Sequence, residues 1–354
     1  MSHIDPSVAV RAGEELDVQR VDRFMKAAIP GLVGRPHIRQ YPGGASNLTY
    51  HVEYRGQSFV LRRPPLGKIA KSAHDMLREA RVMQALRPAY PYVPDIIAVC
   101  DDPDVLGCDF YVMERLPGVI LRQDFPDGLT LNTAGTRKLC LSVIDKLVEL
   151  HRVDPVATGL DRLGKGSGYV QRQIGGWSTR FRHARTDDVG DFETVMAWLQ
   201  DKMPDDIAQS VIHNDFRFDN VVLHADNPFE VVGVLDWEMA TIGDPLMDLG
   251  SSLAYWVEAG DERPFQMLRR QPTHREGMLS RADVVAYYLR QSGLRIDCFD
   301  FYEIYGLFRL AVIIQQIYFR YYHGQTRDQR FAVFGQAANY LEQRCLRLIN
   351  ASGL

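Results

Sequence analysis

Between Val211 and Asp236 the chain alternates apolar runs with acidic and amide side chains, and that pattern restricts how it can fold. Val211-Ile212-His213-Asn214-Asp215-Phe216-Arg217-Phe218-Asp219-Asn220-Val221-Val222-Leu223 reads as an apolar lead-in, a polar turn and an apolar exit. Val231-Val232-Gly233-Val234-Leu235 is a second apolar run, closed by Asp236, sixteen residues past Asn220. Short β-branched runs of this kind are strands. Asp226-Asn227-Pro228, between them, is turn chemistry. Paired as a hairpin through that turn, the runs would bring Asp215, Asn220 and Asp236 toward one point.

Bulk composition narrows the class. A chain of 354 residues can form one large domain or two lobes, each with a core. With 24% charged and 46% hydrophobic residues it is an ordinary globular protein. A net charge of −4 gives no basic face, so no nucleic-acid partner is expected. The cysteines, Cys100, Cys108, Cys140, Cys298 and Cys345, are odd in number and lack CxxC spacing. That speaks against a disulfide framework or a zinc site and for a reducing compartment. Residues 1–6 lack the basic and apolar regions of a signal peptide. The most apolar late stretch, Leu310 to Phe319, is broken by Gln315-Gln316 and too short to span a bilayer. A cytoplasmic protein without a membrane partner is expected, of unspecified oligomeric state.

Taken in order, residues 1–29 read as a polar lead-in with a short helix near Val18 to Ala28. His37 to Tyr41, Leu48 to Tyr54 and Ser58 to Arg62 form a three-stranded meander, with Arg55-Gly56 as a tight turn. Its first turn holds Gly43-Gly44-Ala45-Ser46-Asn47, whose small side chains let backbone amides approach a phosphate. Ala73 to Arg87 is a helix with Met76, Ala80 and Met83 on one face and Glu79 beside them. Two further strands, Asp95 to Cys100 and Asp109 to Met113, lead to a connector at Glu114-Arg115-Leu116-Pro117-Gly118. A first domain boundary belongs there, giving 1–29 as lead-in, 30–116 as a first lobe and 117–354 as a second. Beyond it the texture is helical, with Ala134 to His151, Tyr169 to Phe181 and Tyr302 to Tyr322 the clearest helices. Asp244-Pro245 reads as a helix cap followed by a first-turn proline.

Singly, each polar residue has a bland role: Asp215 could cap a turn, Asn220 could satisfy its backbone, Glu79 could be solvated surface. Together they stand in the order that phosphoryl transfer requires. A glycine loop, a cation ending the third strand (Arg62), a helix Glu (Glu79), a connector, an Asp–Asn loop and a hairpin Asp follow one another. His213-Asn214-Asp215 also admits another class, a non-haem iron site completed by His224 or His274. Such sites sit on double-stranded barrels, and the flanking sequence here is helical.

His213 to Asn220, Leu235-Asp236-Trp237-Glu238 and Ile242-Gly243-Asp244-Pro245-Leu246-Met247-Asp248-Leu249 resemble segments of the aminoglycoside phosphotransferase and choline kinase family. The likeness runs from about residue 30 to near 330. It is nearest to the kinase-like domains fused to some acyl-CoA dehydrogenases, through His151-Arg152-Val153-Asp154, Tyr169 to Trp177 and Phe308-Arg309-Leu310-Ala311. No dehydrogenase domain is expected within these residues. The resemblance implies an α+β, two-lobed protein-kinase-like fold: a small antiparallel sheet with one main helix, then a larger helical lobe. It implies ATP and magnesium as cofactors and a small-molecule hydroxyl as acceptor. Asp215 would be the base, and Asn220 and Asp236 the magnesium ligands. Gly43, Gly44, Ala45, Ser46 and Asn47 would cover the phosphates. Arg62 would pair them in place of the family's usual Lys, with Glu79 as its partner. Met113, Glu114, Arg115 and Leu116 would meet the adenine. His213 and Asp248 would brace the loop, and Asn214 stands where Gly is usual, a mild change because Asn tolerates left-handed backbone. A nucleotide-binding pseudokinase acting as an interaction module is the alternative. For the acceptor, a hydroxyacyl compound is favoured over an aminoglycoside. The aromatic residues from Phe301 to Tyr322 either line a less polar site or are core.

Overall fold

The structure, a computed structural model, describes residues 6–42, 47–65 and 75–354. In chain order the elements are α1 (Val18–Ala28), β1 (His37–Gln40), β2 (Leu48–Tyr54), β3 (Gln57–Arg63), α2 (Met76–Leu86) and β4 (Ile96–Cys100). Next come α3 (Pro103–Leu106), β5 (Phe110–Glu114), β6 (Val119–Ile120), α4 (Thr133–His151), α5 (Tyr169–Ala184) and α6 (Glu193–Asp201). Strands β7 (Ser210–Ile212), β8 (Val221–Leu223), β9 (Val231–Val234) and β10 (Thr241–Gly243) carry the central stretch. Helices α7 (Pro245–Leu253), α8 (Arg263–Gln266), α9 (Arg281–Ser292), α10 (Asp300–Tyr322) and α11 (Phe334–Ala351) follow. The chain divides into two compact units, Met1–Ile120 with Val221–Ala240, and Leu121–Asn220 with Thr241–Leu354.

In the first unit an antiparallel sheet has the order β1-β2-β3-β5-β4. Leu48, Tyr50, Val52 and Tyr54 of β2 are buried and alternate with more open positions, the period of two that a half-buried strand requires. Phe59 and Leu61 of β3 join them, with Val21 and Met25 of α1 and Phe110 and Val112 of β5, in one hydrophobic core. Val60 and Arg62, on the other face of β3, are buried as well. There α2 packs against β4 and β5.

The hairpin anticipated between Val221 and Leu235 is present: Val221 pairs with Val234 and Val222 with Gly233. β6, a two-residue strand just after the connector Glu114 to Gly118, adds a third strand through Val119–Leu223 and Ile120–Val222. Gly118 permits that approach, because a Cβ there would collide with the Leu223 carbonyl oxygen. The sequence attaches 221–240 to the second lobe, whereas by its contacts this segment belongs to the first unit. Val211 and Ile212, the apolar lead-in, pair elsewhere, with Ile242 and Thr241 of β10 in the second unit.

The second unit is built on α10, which packs against α5, α7 and α11. Every residue of α7 is buried. Asp244 caps α7 by accepting hydrogen bonds from Leu246 N (2.8 Å) and Met247 N (3.1 Å). Phe301, Tyr302, Tyr305, Phe308 and Tyr318 of α10 are core residues. Phe308 sits 5.9 Å from Phe192 and 6.3 Å from Phe181, ring centre to ring centre. No helix among the described residues is long and apolar enough to cross a membrane, and the five cysteines are free.

Helices α7 and α10 cross at Gly250 and Gly306, where a Cβ on Gly306 would strike the Gly250 carbonyl oxygen. Gly306→Ala gains about 1 kcal/mol of helix propensity. It also forces two backbones apart, and overpacking costs about 1–3 kcal/mol. A lowered denaturation midpoint in urea is the expected net result; an unchanged or raised midpoint would show that the crossing has slack.

Candidate active site

In the second unit the polar loop after β7 is shaped by one carboxylate. Asp248, in the first turn of α7, accepts hydrogen bonds from His213 N and Asn214 N, both at 2.8 Å, and from His151 Nε2 at 3.1 Å. His151 Nδ1 lies 2.6 Å from the Tyr288 hydroxyl. Asp248 is fully buried, which alone would raise its pKa. The His151 hydrogen bond, the His151 and His213 charges and the backbone donor outweigh burial and leave it below the usual carboxylate value.

Asn214 takes a left-handed backbone, φ 65°, which Asn accepts more readily than most residues. The Tyr169 hydroxyl donates to its side-chain oxygen (3.1 Å), and Arg309 of α10 donates to its carbonyl (2.8 Å). This bend carries the chain into Asp215. Asn220 donates through Nδ2 to the Asp215 carbonyl (2.8 Å) and to its carboxylate (3.1 Å). Arg217 pairs with the Asp215 carboxylate at 3.1 Å and with Asp219 at 2.9 Å, and lies over the Tyr255 ring at 4.6 Å. Burial opposes the Arg217 charge, but Asp215 and Asp219 overcome it and raise its pKa. The Asp215 side chain stays 22% exposed, so a ligand can reach it. Phe218 N, three residues on, donates to Gln271 Oε1 at 2.9 Å.

In the first unit Arg62, Glu79 and Asp236 meet. Arg62 donates through one guanidinium nitrogen to Glu79 (2.8 Å) and through another to Asp236 (3.0 Å). Glu79 also accepts from Trp237 N (3.2 Å). Burial pushes the Glu79 pKa up to about 7, against the pull of Arg62 and with Asp236 and Glu238 adding to it. Arg62 itself is held charged: burial opposes, and Glu79 and Asp236 among others prevail. Asp236 adopts φ 70°, a left-handed backbone rare outside glycine. Arg78 of α2 donates to the Glu238 and Ala240 carbonyls (3.2 and 2.5 Å), which fastens that turn.

Asn47 Nδ2 donates to Glu238 at 2.8 Å. Gly43, Gly44, Ala45 and Ser46 lie outside the described residues. Met113, Glu114, Arg115 and Leu116 lie at the end of β5 and just beyond. Glu114 accepts from Asp95 N (3.0 Å), Arg115 donates to the Tyr41 hydroxyl (2.9 Å), and Leu116 covers Gly233. The iron arrangement does not form. Among the described residues no three His, Cys, Asp or Glu side chains are grouped to hold a metal, and the strands make sheets rather than a double-stranded barrel. His274 lies instead against Arg269 and Asp124.

Several residues at this loop were not singled out by sequence. Arg217 stands inside the motif, and its place between Asp215 and Asp219 is a readable sign of an ion pair. Gln271 and Tyr255 come from distant segments and carry no local signal, whereas Arg309 lies in the Phe308 to Ala311 segment that carries the family resemblance, with no role assigned to it by sequence.

Asp248→Asn should destabilise the protein, since the amide presents one acceptor where two backbone N–H groups and His151 need them. A buried donor left unpaired costs about 1–3 kcal/mol. The folded pKa of Asp248 is depressed, so its contribution is present above the ordinary Asp range and is lost as pH falls through the lower folded value. Urea midpoints of wild type and variant should differ clearly at pH 7 and converge as the pH drops below about 3.9. Equal midpoints at pH 7 would remove Asp248 from this role.

The profile of the phosphotransferase enzyme family matches residues 37–282. Acyl-CoA dehydrogenase family member 10 of Mus musculus is 34% identical over 329 residues, covering 90% of this chain and 30% of that protein. Acyl-CoA dehydrogenase family member 11 of Homo sapiens is 32% identical over 317 residues, covering 88% and 40%. The chain thus spans less than half the length of these curated relatives. A solved structure from Ralstonia eutropha JMP134, named as a candidate aminoglycoside phosphotransferase, matches at TM-score 0.81 and 27% identity, over 96% of this chain and 100% of that one. Choline kinase from Cryptosporidium parvum shares the fold at TM-score 0.61 and 14% identity, over 95% and 96%. The α+β, kinase-like architecture expected from sequence is therefore the fold of this protein. With its profile match over most of the chain and its own Asp–Asn loop, the chain belongs to the phosphotransferase enzyme family.

Proposed function

We propose that this protein is a small-molecule kinase that moves the γ-phosphoryl group of ATP to an acceptor hydroxyl, with magnesium. The observation that carries the reading is Asp215: its carboxylate is oriented by Asn220 and Arg217 yet remains partly open to solvent. A general base needs both properties. Asp215 takes the hydroxyl proton as the acceptor oxygen bonds to the γ-phosphorus, and the bond to the bridging oxygen breaks to release ADP.

The donor chemistry suits the metal. Asn220 uses its amide N–H on Asp215, and its Oδ1 has no donor on it among the described residues. Oδ1 of Asn220 and the Asp236 carboxylate offer the hard oxygens that magnesium prefers and would be its ligands. Bound there, magnesium would neutralise charge on the phosphates. Among the described residues the buried Arg62 Nε–H has no acceptor, and a guanidinium suits an anionic ligand. Asn47 with the preceding Gly43 to Ser46 would lie over the phosphates, Glu79 would position Arg62, and Met113 to Leu116 would meet the adenine. A hydroxyacyl acceptor is supported by the relatives named as acyl-CoA dehydrogenase family members. Phe301, Tyr302, Tyr305, Phe308 and Tyr318 of α10, being core, add nothing to that choice.

ADP release is the measurement, across a panel of hydroxylated acceptors. Asp215→Asn should lose roughly 10²–10⁴-fold in kcat with ATP affinity nearly unchanged. Asp236→Asn and Arg62→Ala should instead weaken nucleotide use. Equal effects of Asp215→Asn and Asp236→Asn on binding would contradict the separate roles. Bound Mg-ATP with no turnover of any acceptor would leave the interaction-module reading standing.

A further inference from the structure

The segment between α8 and α9 carries Arg269-Arg270-Gln271-Pro272-Thr273-His274-Arg275. Its middle is buried and fastened. Gln271, with no exposed surface, donates to the Tyr255 carbonyl (3.0 Å) and accepts from Phe218 N (2.9 Å) in the Asp215 loop. Thr273 donates to the Val257 carbonyl at 2.9 Å. A buried amide satisfied at both ends holds this turn in one place beside that loop.

The backbone that carries the turn's charged side chains is therefore held beside that loop. Arg269 lies 2.6 Å from His274 and 3.3 Å from Asp124. The Arg275 guanidinium sits 4.4 Å over the Phe125 ring, and Arg270 is exposed. Neither Arg270 nor Arg275 has an ion pair or a side-chain hydrogen bond among the described residues. Asp124, itself 58% exposed, pairs with Arg269, and Glu276 accepts from the Thr133 hydroxyl. The His274 pKa is lowered, by burial first and then by Arg269 and Arg275, against Asp124. Burial raises the Tyr255 hydroxyl pKa, with Asp215 adding to it and Arg217, Arg309 and Arg270 opposing it.

We propose that this turn, with Arg270 and Arg275 as its open cations, docks the anionic end of the acceptor: a phosphate or pyrophosphate carried by the molecule whose hydroxyl Asp215 deprotonates. The proposal rests on the phosphotransferase reading and narrows its substrate class. A guanidinium fork grips two phosphate oxygens at once. The same cations repel a polycationic acceptor, so the turn selects by attraction and by exclusion. A nucleotide donor offers the same phosphate chemistry, and the experiment separates the two sources.

Coenzyme A, with a pyrophosphate and a phosphate but no hydroxyacyl group, is the probe. It is titrated by calorimetry into wild type, R270A/R275A and R270K/R275K, and Mg-ATP is titrated into the same proteins. The expected result is binding to wild type that weakens about tenfold or more in the alanine pair, with partial retention in the lysine pair and no parallel loss for ATP. Absent binding to wild type, or equal affinity in the alanine pair, overturns the proposal. Parallel loss of coenzyme A and ATP assigns the turn to the donor and also overturns it. If the alanine pair fails to melt cooperatively, the lysine pair decides, since coenzyme A affinity equal to wild type with no salt dependence excludes a charge-based site. None of these readouts needs turnover, so a protein that binds coenzyme A through this turn yet phosphorylates nothing refutes the phosphotransferase reading alone.

Discussion

A single buried carboxylate, Asp248, sets the course of the loop that carries Asp215. It takes both backbone N–H groups at His213 and Asn214 and is braced by His151, so the chain has to turn where it does. Asp248 can serve because α7 is itself immobilised. Asp244 caps its start, and Gly250 lets α10 approach backbone to backbone. From α10, Arg309 reaches the Asn214 carbonyl, so two helices fix the left-handed bend that one residue type in few tolerates. The orientation of Asp215 then follows from Asn220 and Arg217, which are local.

In the first unit the comparable constraint is electrostatic. Arg62 lies between Glu79 and Asp236, with Glu238 near enough to raise Glu79 further. A buried ion pair is poor evidence of net stability, because desolvation offsets much of the attraction. Losing one partner is another matter, since the remaining charge is left buried. The hard carboxylate oxygens of Asp236 are of the kind a divalent cation prefers, which supports its proposed role.

Much of this was readable from residues alone where the signal is local. Periodicity in Leu48 to Tyr54 and in Val18 to Ala28 gave the strand and helix as they stand. The Asp226-Asn227-Pro228 turn pointed to a hairpin, which β8 and β9 form, and Asp244-Pro245 predicted the α7 cap. What sequence could not supply was partnership at a distance. Val211-Ile212 pairs with β10 rather than with its neighbour β8, and Val119-Ile120 becomes a strand only because β8 offers it an edge. The aromatic run in α10 looks the same whether it lines a ligand or fills a core, and burial places most of it in the core. Gln271, 53 residues from the Phe218 it holds, has no motif at all.

The central claim is that this chain binds a nucleotide through magnesium and uses it for phosphoryl transfer. Calorimetry of the wild-type protein with ATP, in magnesium and again in EDTA, tests it most directly. Saturable heat in magnesium that is largely lost in EDTA is the predicted result. No heat of binding under either condition would contradict the account of Asn220, Asp236 and Arg62 together.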